Sequence, residues 1–104
     1  MPAPPCFEYV VGLEPPHLVI RLCGELDLGS AEKLDWPSWA DLSRIDSLIM
    51  DLSRLDFCDV AGLRRINVLG VTATQKGLSV QLRGTKSVIR KIARLSGIGT
   101  DWLA

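Results

Sequence analysis

The sequence predicts an α/β domain in which a mixed, mainly parallel sheet of four strands carries packed helices, in the order β-β-α-β-α-β-α. Short apolar runs of strand length alternate with segments of helical periodicity, and this alternation is typical of such a sheet with right-handed crossovers. A chain of 104 residues is long enough to bury a core without a metal or disulfide. Its 47% hydrophobic and 23% charged residues exclude disorder. We expect one domain over residues 1–104, with residues 1–6 as a loose lead-in.

The first two strands are predicted to form an antiparallel pair. Phe7–Leu13 and Leu18–Cys23 are apolar runs on either side of Pro15 and Pro16, which cannot donate to a strand ladder. His17 is expected to be an exposed turn residue, and Cys23 to lie in the core.

A short helix and a third strand are predicted next. The segment 29–34 has a helical pattern with Ser30 as its N-cap, and Pro37 interrupts the pattern. Ser47–Leu52 is a largely apolar run of the kind that forms a buried parallel strand.

The main helix and the last two elements are predicted from changes in the spacing of apolar residues. Asp59 is placed as an N-cap, an apolar pattern with helical spacing runs from Val60 to Gln75, and Gly77 gives a stop signal. Leu78–Leu82 alternates as a strand. Thr85 can cap a final helix whose apolar stripe is predicted to be Val88, Ile92 and Leu95.

Charge and composition exclude several function classes. Twelve basic and twelve acidic residues give a net charge of zero, which disfavours nucleic acid as a partner. No apolar run approaches the roughly 18 residues that span a bilayer. With three cysteines, no Cys-x-x-Cys pair and one histidine, we expect no metal and no cofactor. No nucleophile is paired with a base, so we expect a non-catalytic protein, located in the cytoplasm.

Two motifs carry the functional information. Gly24–Asp27 reads Gly-Glu-Leu-Asp after the second strand, and Asp51–Ser53 with Phe57–Leu63 joins the third strand to the main helix. In these motifs and in element order, the sequence resembles the STAS domain family, and within it the bacterial anti-sigma factor antagonists. The resemblance implies a STAS-type fold and a protein partner, an anti-sigma factor of the serine-kinase type. It implies that the partner contacts Asp27, Leu28, Cys58, Asp59, Val60, Ala61, Gly62, Leu63 and Arg64.

The resemblance fails at one informative position. The family carries a phosphorylated serine directly after the aspartate, and the matching residue here is Val60. Valine has no hydroxyl, so we expect no phosphorylation switch at this position. The protein is then a constitutive binder or is regulated in another way.

Two other functions are alternatives. One is a STAS scaffold or accessory subunit of a transporter or of a stressosome-like assembly. The other is a thiol-sensing regulator, in which Cys58 near the helix N-terminus replaces the phosphoserine. A small buried cysteine is the structural interpretation of Cys58, and a bound nucleotide is disfavoured because no Gly-rich phosphate loop is present.

Two further features have a structural and a binding interpretation. The basic residues of the last helix are interpreted as a solvated face, or else as a patch that meets an acidic partner. Trp36 and Trp39 are interpreted as packing residues, and as a protein-contact patch if they are exposed. The basic residues are Arg83, Lys86, Arg90, Lys91 and Arg94.

Overall fold

A computed structural model describes residues 6–103, and the first five residues of the lead-in predicted over residues 1–6 lie outside that range. The four strands form one sheet in the order β1-β2-β3-β4. β1 and β2 are antiparallel, whereas β2, β3 and β4 are parallel to one another. The predicted α/β fold class is therefore confirmed. The strands are β1 (Glu8–Glu14), β2 (His17–Leu26), β3 (Ser47–Cys58) and β4 (Ser79–Arg83).

β2 and β3 are longer than the sequence predicts. Their pairing continues past Cys23 and Leu52 to the pair of Leu26 with Cys58, through two shifts of register. A register shift breaks the alternation of apolar and polar residues, which hides the continuation of the strand from a pattern analysis. The longer strands carry both motifs to the same edge of the sheet.

Helix α1 (Val60–Gln75) begins and ends where the sequence predicts, and helix α2 (Ser87–Ser96) is the predicted final helix. The predicted helix after β2 is only a 3-10 turn over Ala31–Lys33. Ser30 does not cap it with its side chain, because the Ser30 hydroxyl oxygen accepts from the backbone N–H of Asp27 instead. A second 3-10 turn covers Thr100–Trp102.

The core lies between the helices and one face of the sheet. On α1 the predicted apolar face is buried except for its first member, Val60. The central strands supply fully buried side chains at alternate positions, as a half-covered sheet requires. These side chains are Leu18, Ile20 and Leu22 of β2 and Leu48, Met50 and Leu52 of β3.

The predicted core face of α2 is wrong. Val88 is 51% exposed and Leu95 is 80% exposed, and only Ile92 of the predicted stripe is partly buried against the core. The helix instead buries Ile89 and Ala93. The predicted stripe and the observed buried positions are about one residue apart along the same helix. Periodicity alone does not distinguish them, and tertiary packing determines which of them is buried.

Two single-residue predictions are also corrected. His17 is the first residue of β2 and is half-buried, with its Nδ1 hydrogen-bonded to the Ser47 hydroxyl. Cys23 is exposed on the polar face of the sheet rather than in the core. Among the described residues, no helix has both the length and the apolar composition needed to cross a membrane.

Candidate functional site

The carboxyl ends of β2 and β3 bring the two motifs together. Leu26, the last residue of β2, pairs with Cys58, the last residue of β3. The backbone N–H of Asp59 then donates to the Leu26 carbonyl at 3.2 Å. Because parallel strands end at the same edge, the turn after β2 and the start of α1 are neighbours.

The turn after β2 is held by the side chain of Asp27. Its Oδ1 accepts hydrogen bonds from the backbone N–H of Gly29 at 3.0 Å and of Ser30 at 3.1 Å. The Ser30 hydroxyl in turn accepts from the backbone N–H of Asp27 at 3.0 Å. These local bonds fix the turn, so Asp27 shapes the site.

Asp59 joins the turn to the helix. Its Oδ1 accepts from the backbone N–H of Gly62 at 2.8 Å, which is the predicted N-cap of α1. Its Oδ2 accepts from the backbone N–H of Leu28 at 3.2 Å. One carboxylate therefore caps α1 and fixes Leu28 beside it.

The residues expected at the partner contact divide by their exposure. Leu28 is 79% exposed and Val60 is 38% exposed, and Arg64 lies one turn further along the exposed face of α1. We call Leu28, Val60 and Arg64 the loop–helix surface. Asp27, Asp59 and Ala61 are half-buried supports behind it.

Three residues that the sequence analysis placed at the contact are buried. Cys58 is 0% exposed and Leu63 is almost fully buried, and Gly62 is buried with them. A Cβ at Gly62 would lie 2.4 Å from the Leu26 carbonyl oxygen and 2.8 Å from the Cys58 sulfur. These residues therefore let α1 start close to β2, and they lie behind the exposed surface.

The chemistry of Cys58 is the opposite of what a redox thiol needs. Burial and, as the smaller effect, the neighbouring Asp59 carboxylate together raise the pKa of the Cys58 thiol to about 12. The dipole of α1, which favours a thiolate near the helix N-terminus, does not overcome these two effects. At neutral pH the group is a protonated thiol in the core.

Phe57 is a surface residue that the sequence did not predict to be one, although it lies in the second motif. Phe57 is the residue before Cys58 and is partly exposed. An aromatic residue at the end of a strand is usually assigned to the core, and only its position in the motif indicates exposure.

An open cavity of about 490 Å³ lies away from this site, on the polar face of the sheet. The Arg21 guanidinium at this cavity is already paired with Glu14 at 3.0 Å. Exposed Cys23 also lines this cavity, because its side chain lies on the face of β2 opposite to buried Leu22.

Comparison with known proteins gives one family match and several structural matches. The family model described as "Mlab, STAS domain" matches residues 10–104. No curated protein sequence matches the chain.

Three solved structures illustrate the structural likeness. An anti-sigma factor antagonist from Mycobacterium paratuberculosis shares 24% identity at a TM-score of 0.66, over 99% of this chain and 89% of the other. The Bacillus cell fate determinant SpoIIAA, in its phosphorylated form, shares 23% identity at a TM-score of 0.67, over 95% of this chain and 89% of the other. The murine Solute Carrier 26 family member A9 anion transporter shares 21% identity at a TM-score of 0.67. That match covers 85% of this chain but only 14% of the transporter. Likeness at these identities concerns the fold.

Proposed function

Because the chain belongs to the STAS domain family, we propose that it is a non-catalytic regulator that works by binding another protein through the loop–helix surface. The partner we propose is an anti-sigma factor of the serine-kinase type, and the location is the cytoplasm. Asp27, Cys58, Asp59, Ala61, Gly62 and Leu63 support the contact, and Leu28, Val60 and Arg64 form it.

The observation that carries this proposal is the double role of the Asp59 carboxylate. It caps α1 and holds the Leu28 backbone, so two exposed apolar side chains stand beside each other without a flexible linker. Preorganised apolar groups lose little entropy on binding, which favours a protein contact at this edge. Arg64 adds a cation at the rim.

Val60 defines how this regulator differs from the antagonists that it resembles. A phosphoserine would add a charge of about −1.5 to −2 at this position. Valine accepts no phosphoryl group, so the proposed complex is not released by phosphorylation at residue 60. We propose that binding is constitutive at this surface.

The test is a charge placed where the phosphate would be. The tagged Val60→Glu variant should capture its partner from native lysate of the source cells at least about tenfold less well than the wild type, which corresponds to about 1.4 kcal/mol. Val68→Glu is the matched control, because Val68 is an exposed valine two turns further along α1. Captured proteins are identified and quantified by mass spectrometry.

A second variant tests the missing hydroxyl. Val60→Ser should become labelled when the captured partner and ATP are added, whereas the wild type should give no label within residues 58–63.

Unchanged capture by Val60→Glu would show that the loop–helix surface is not the docking site. A label on the wild-type segment would contradict the match of Val60 to the serine position.

A second candidate function is that of a STAS subunit in a larger assembly. The likeness to the STAS-containing part of an anion transporter supports it, because the same fold occurs there within a much longer chain. Capture of a transporter ATPase in the same experiment would favour this function over anti-sigma binding.

The buried, protonated state of Cys58, which disfavours the thiol-sensing alternative, makes a prediction about pH and reactivity. The folded chain keeps the Cys58 proton up to about pH 12, whereas the unfolded chain releases it near its ordinary pKa of 9.0. The contribution of the protonated Cys58 thiol to the free energy of unfolding is intact below about pH 9. It is lost as pH rises from about 9 toward about 12, because only the unfolded chain releases the proton in this range. Stability should therefore fall more steeply between pH 9 and pH 11 in the wild type than in Cys58→Ala.

The same thiol should resist alkylation. At pH 8, iodoacetamide should modify exposed Cys6 and Cys23 in the folded chain and leave Cys58 unmodified, as read by peptide mass mapping. Rapid modification of Cys58 under these conditions would revive the thiol-sensing function.

A further inference from the structure

Acidic and basic residues are segregated along this chain. Residues 60–100 contain eight basic residues and no acidic one, although the whole chain is neutral. Residues 8–59 contain eleven acidic residues against four basic ones. The C-terminal part of the fold, which includes both α-helices, is therefore strongly basic. The eight basic residues are Arg64, Arg65, Lys76, Arg83, Lys86, Arg90, Lys91 and Arg94.

Helix α2 carries an exposed surface that is both apolar and basic. Val88 and Leu95 are exposed and seven residues apart, which places them on almost the same line of the helix. Lys91 lies between them, Arg94 lies about one turn after Lys91, and both are exposed. Within residues 6–103, neither Lys91 nor Arg94 belongs to an ion pair. We call Val88, Lys91, Arg94 and Leu95 the basic ledge.

The connection from β2 to β3 carries the complementary surface. Trp39 is 69% exposed, which places the second tryptophan of the pair on the surface while Trp36 packs against the core. Asp41 is exposed two residues further on, and hydrogen bonds from Ser43 lower the pKa of its carboxyl, so it is fully ionised at neutral pH. We call Trp39 and Asp41 the acidic loop.

The acidic loop and the basic ledge belong to elements on opposite flanks of α1. On one flank, the Arg65 guanidinium bonds to the Leu34 carbonyl and to Asp35, in the connection that carries the loop. On the other flank, Gly70 packs against the ring of Trp102, which follows α2 in the chain. Arg65 and Gly70 are about 140° apart around the helix, at about 100° per residue. Helix α1 therefore separates the two surfaces within one molecule.

We propose that copies of this chain associate head to tail, with the acidic loop of one copy packed on the basic ledge of the next. The Trp39 ring offers apolar area to Val88 and Leu95, and Asp41 meets Lys91 or Arg94. A net charge of zero leaves no overall repulsion between copies. The loop–helix surface takes no part in this contact, so the proposal does not depend on the proposed function.

A contact between two different surfaces gives a specific pattern of assembly. Each oligomer keeps a free acidic loop at one end and a free basic ledge at the other, so the association continues with concentration instead of stopping at a symmetric dimer. Because opposite charges meet at the exposed rim, salt should weaken it.

Analytical ultracentrifugation of the full chain tests this. Between about 10 and about 500 μM protein in about 50 mM NaCl, the weight-average mass should rise above the 11.4 kDa of one chain. It should fall back toward that value in about 500 mM NaCl. A mass that stays at one chain throughout would overturn the proposal.

Two blocked variants identify the surfaces. Trp39→Ala with Asp41→Asn removes the loop, and Lys91→Glu with Leu95→Ser removes the ledge. Each variant alone should be monomeric, and an equimolar mixture should form a one-to-one dimer and nothing larger, because each partner supplies one intact surface. Val68→Ala, an exposed change on α1 outside both surfaces, should assemble as the wild type does.

Other outcomes overturn the proposal in distinct ways. A dimer that persists in both blocked variants would mean that a different surface associates. A wild type that is monomeric but binds vesicles containing anionic lipid, with binding lost in the ledge variant, would assign the ledge to a membrane surface. Circular dichroism confirms that each variant is folded before its mass is interpreted.

Discussion

The two long helices of this domain follow the same kind of strand but use their apolar residues differently. Helix α1 buries the face that its sequence predicts, has Asp59 as a side-chain cap, and begins at that cap. Helix α2 leaves two of its three predicted core residues exposed and has no side-chain cap at Lys86. An apolar stripe at helical spacing therefore identifies a helix, but it does not identify the side of the helix that is buried.

The difference follows from the neighbours of each helix. α1 contacts β3, β4, the first 3-10 turn and α2, so elements on both flanks leave only its outer face exposed. α2 contacts β3, α1 and the last 3-10 turn, and its Val88 and Leu95 side remains uncovered. An apolar side chain stabilises the fold by burial only where another element packs against it.

The largest expected effect tests which face of α2 is buried. Ile89→Ala should lower the free energy of unfolding by about 2–5 kcal/mol, because Ile89 is fully buried and its truncation leaves a cavity. Leu95→Ala should change it by less than about 0.5 kcal/mol, because the leucine is exposed. Urea unfolding followed by circular dichroism measures both. The reverse order would restore the stripe predicted from the sequence.

Sequence periodicity was sufficient for most of the fold because most elements have one dominant pattern. The bounds of α1 follow from Asp59, the apolar spacing and Gly77, and the structure has them at those residues. The ends of β2 and β3 could not be predicted, since their register shifts interrupt the alternation. The helix at residues 29–34 was overestimated, because the Ser30 hydroxyl oxygen accepts from the backbone N–H of Asp27 instead of capping.

The sequence predicted which segments of the candidate site lie close together, but it did not predict which of their residues are exposed. The resemblance to a family placed the Asp27 turn beside Asp59, and the bond from Leu28 to Asp59 accords with that. It could not separate exposed Leu28 and Val60 from buried Cys58, because burial depends on how closely α1 approaches β2. The close approach of α1 to β2 requires a glycine at position 62, because a Cβ there would clash with the Leu26 carbonyl oxygen. The sequence alone does not show this requirement.

A smaller effect tests the difference between the two helix starts. Asp59→Ala should cost about 1 kcal/mol, since the cap on Gly62 and the acceptor for Leu28 are both lost. Lys86→Ala should cost less than about 0.5 kcal/mol, because it removes only an exposed ion pair with Asp56. Asp59→Asn, which keeps an acceptor, should lie between them in the same urea experiment. Equal costs at Asp59 and Lys86 would mean that the cap does not stabilise α1.

The smallest effect concerns Thr85, which was predicted to cap α2. The structure places the cap position at Lys86, and within the described part of the chain the buried Thr85 hydroxyl has no hydrogen-bond partner. A buried polar group without a partner is destabilising, and a methyl group of similar size removes that cost. Thr85→Val should therefore raise the free energy of unfolding by up to about 1 kcal/mol, the opposite sign to Asp59→Ala. Thr85→Ser, which keeps the hydroxyl and loses the methyl group, should not raise it. If Thr85→Val is destabilising instead, the hydroxyl has a partner in solution and the start of α2 is capped as α1 is.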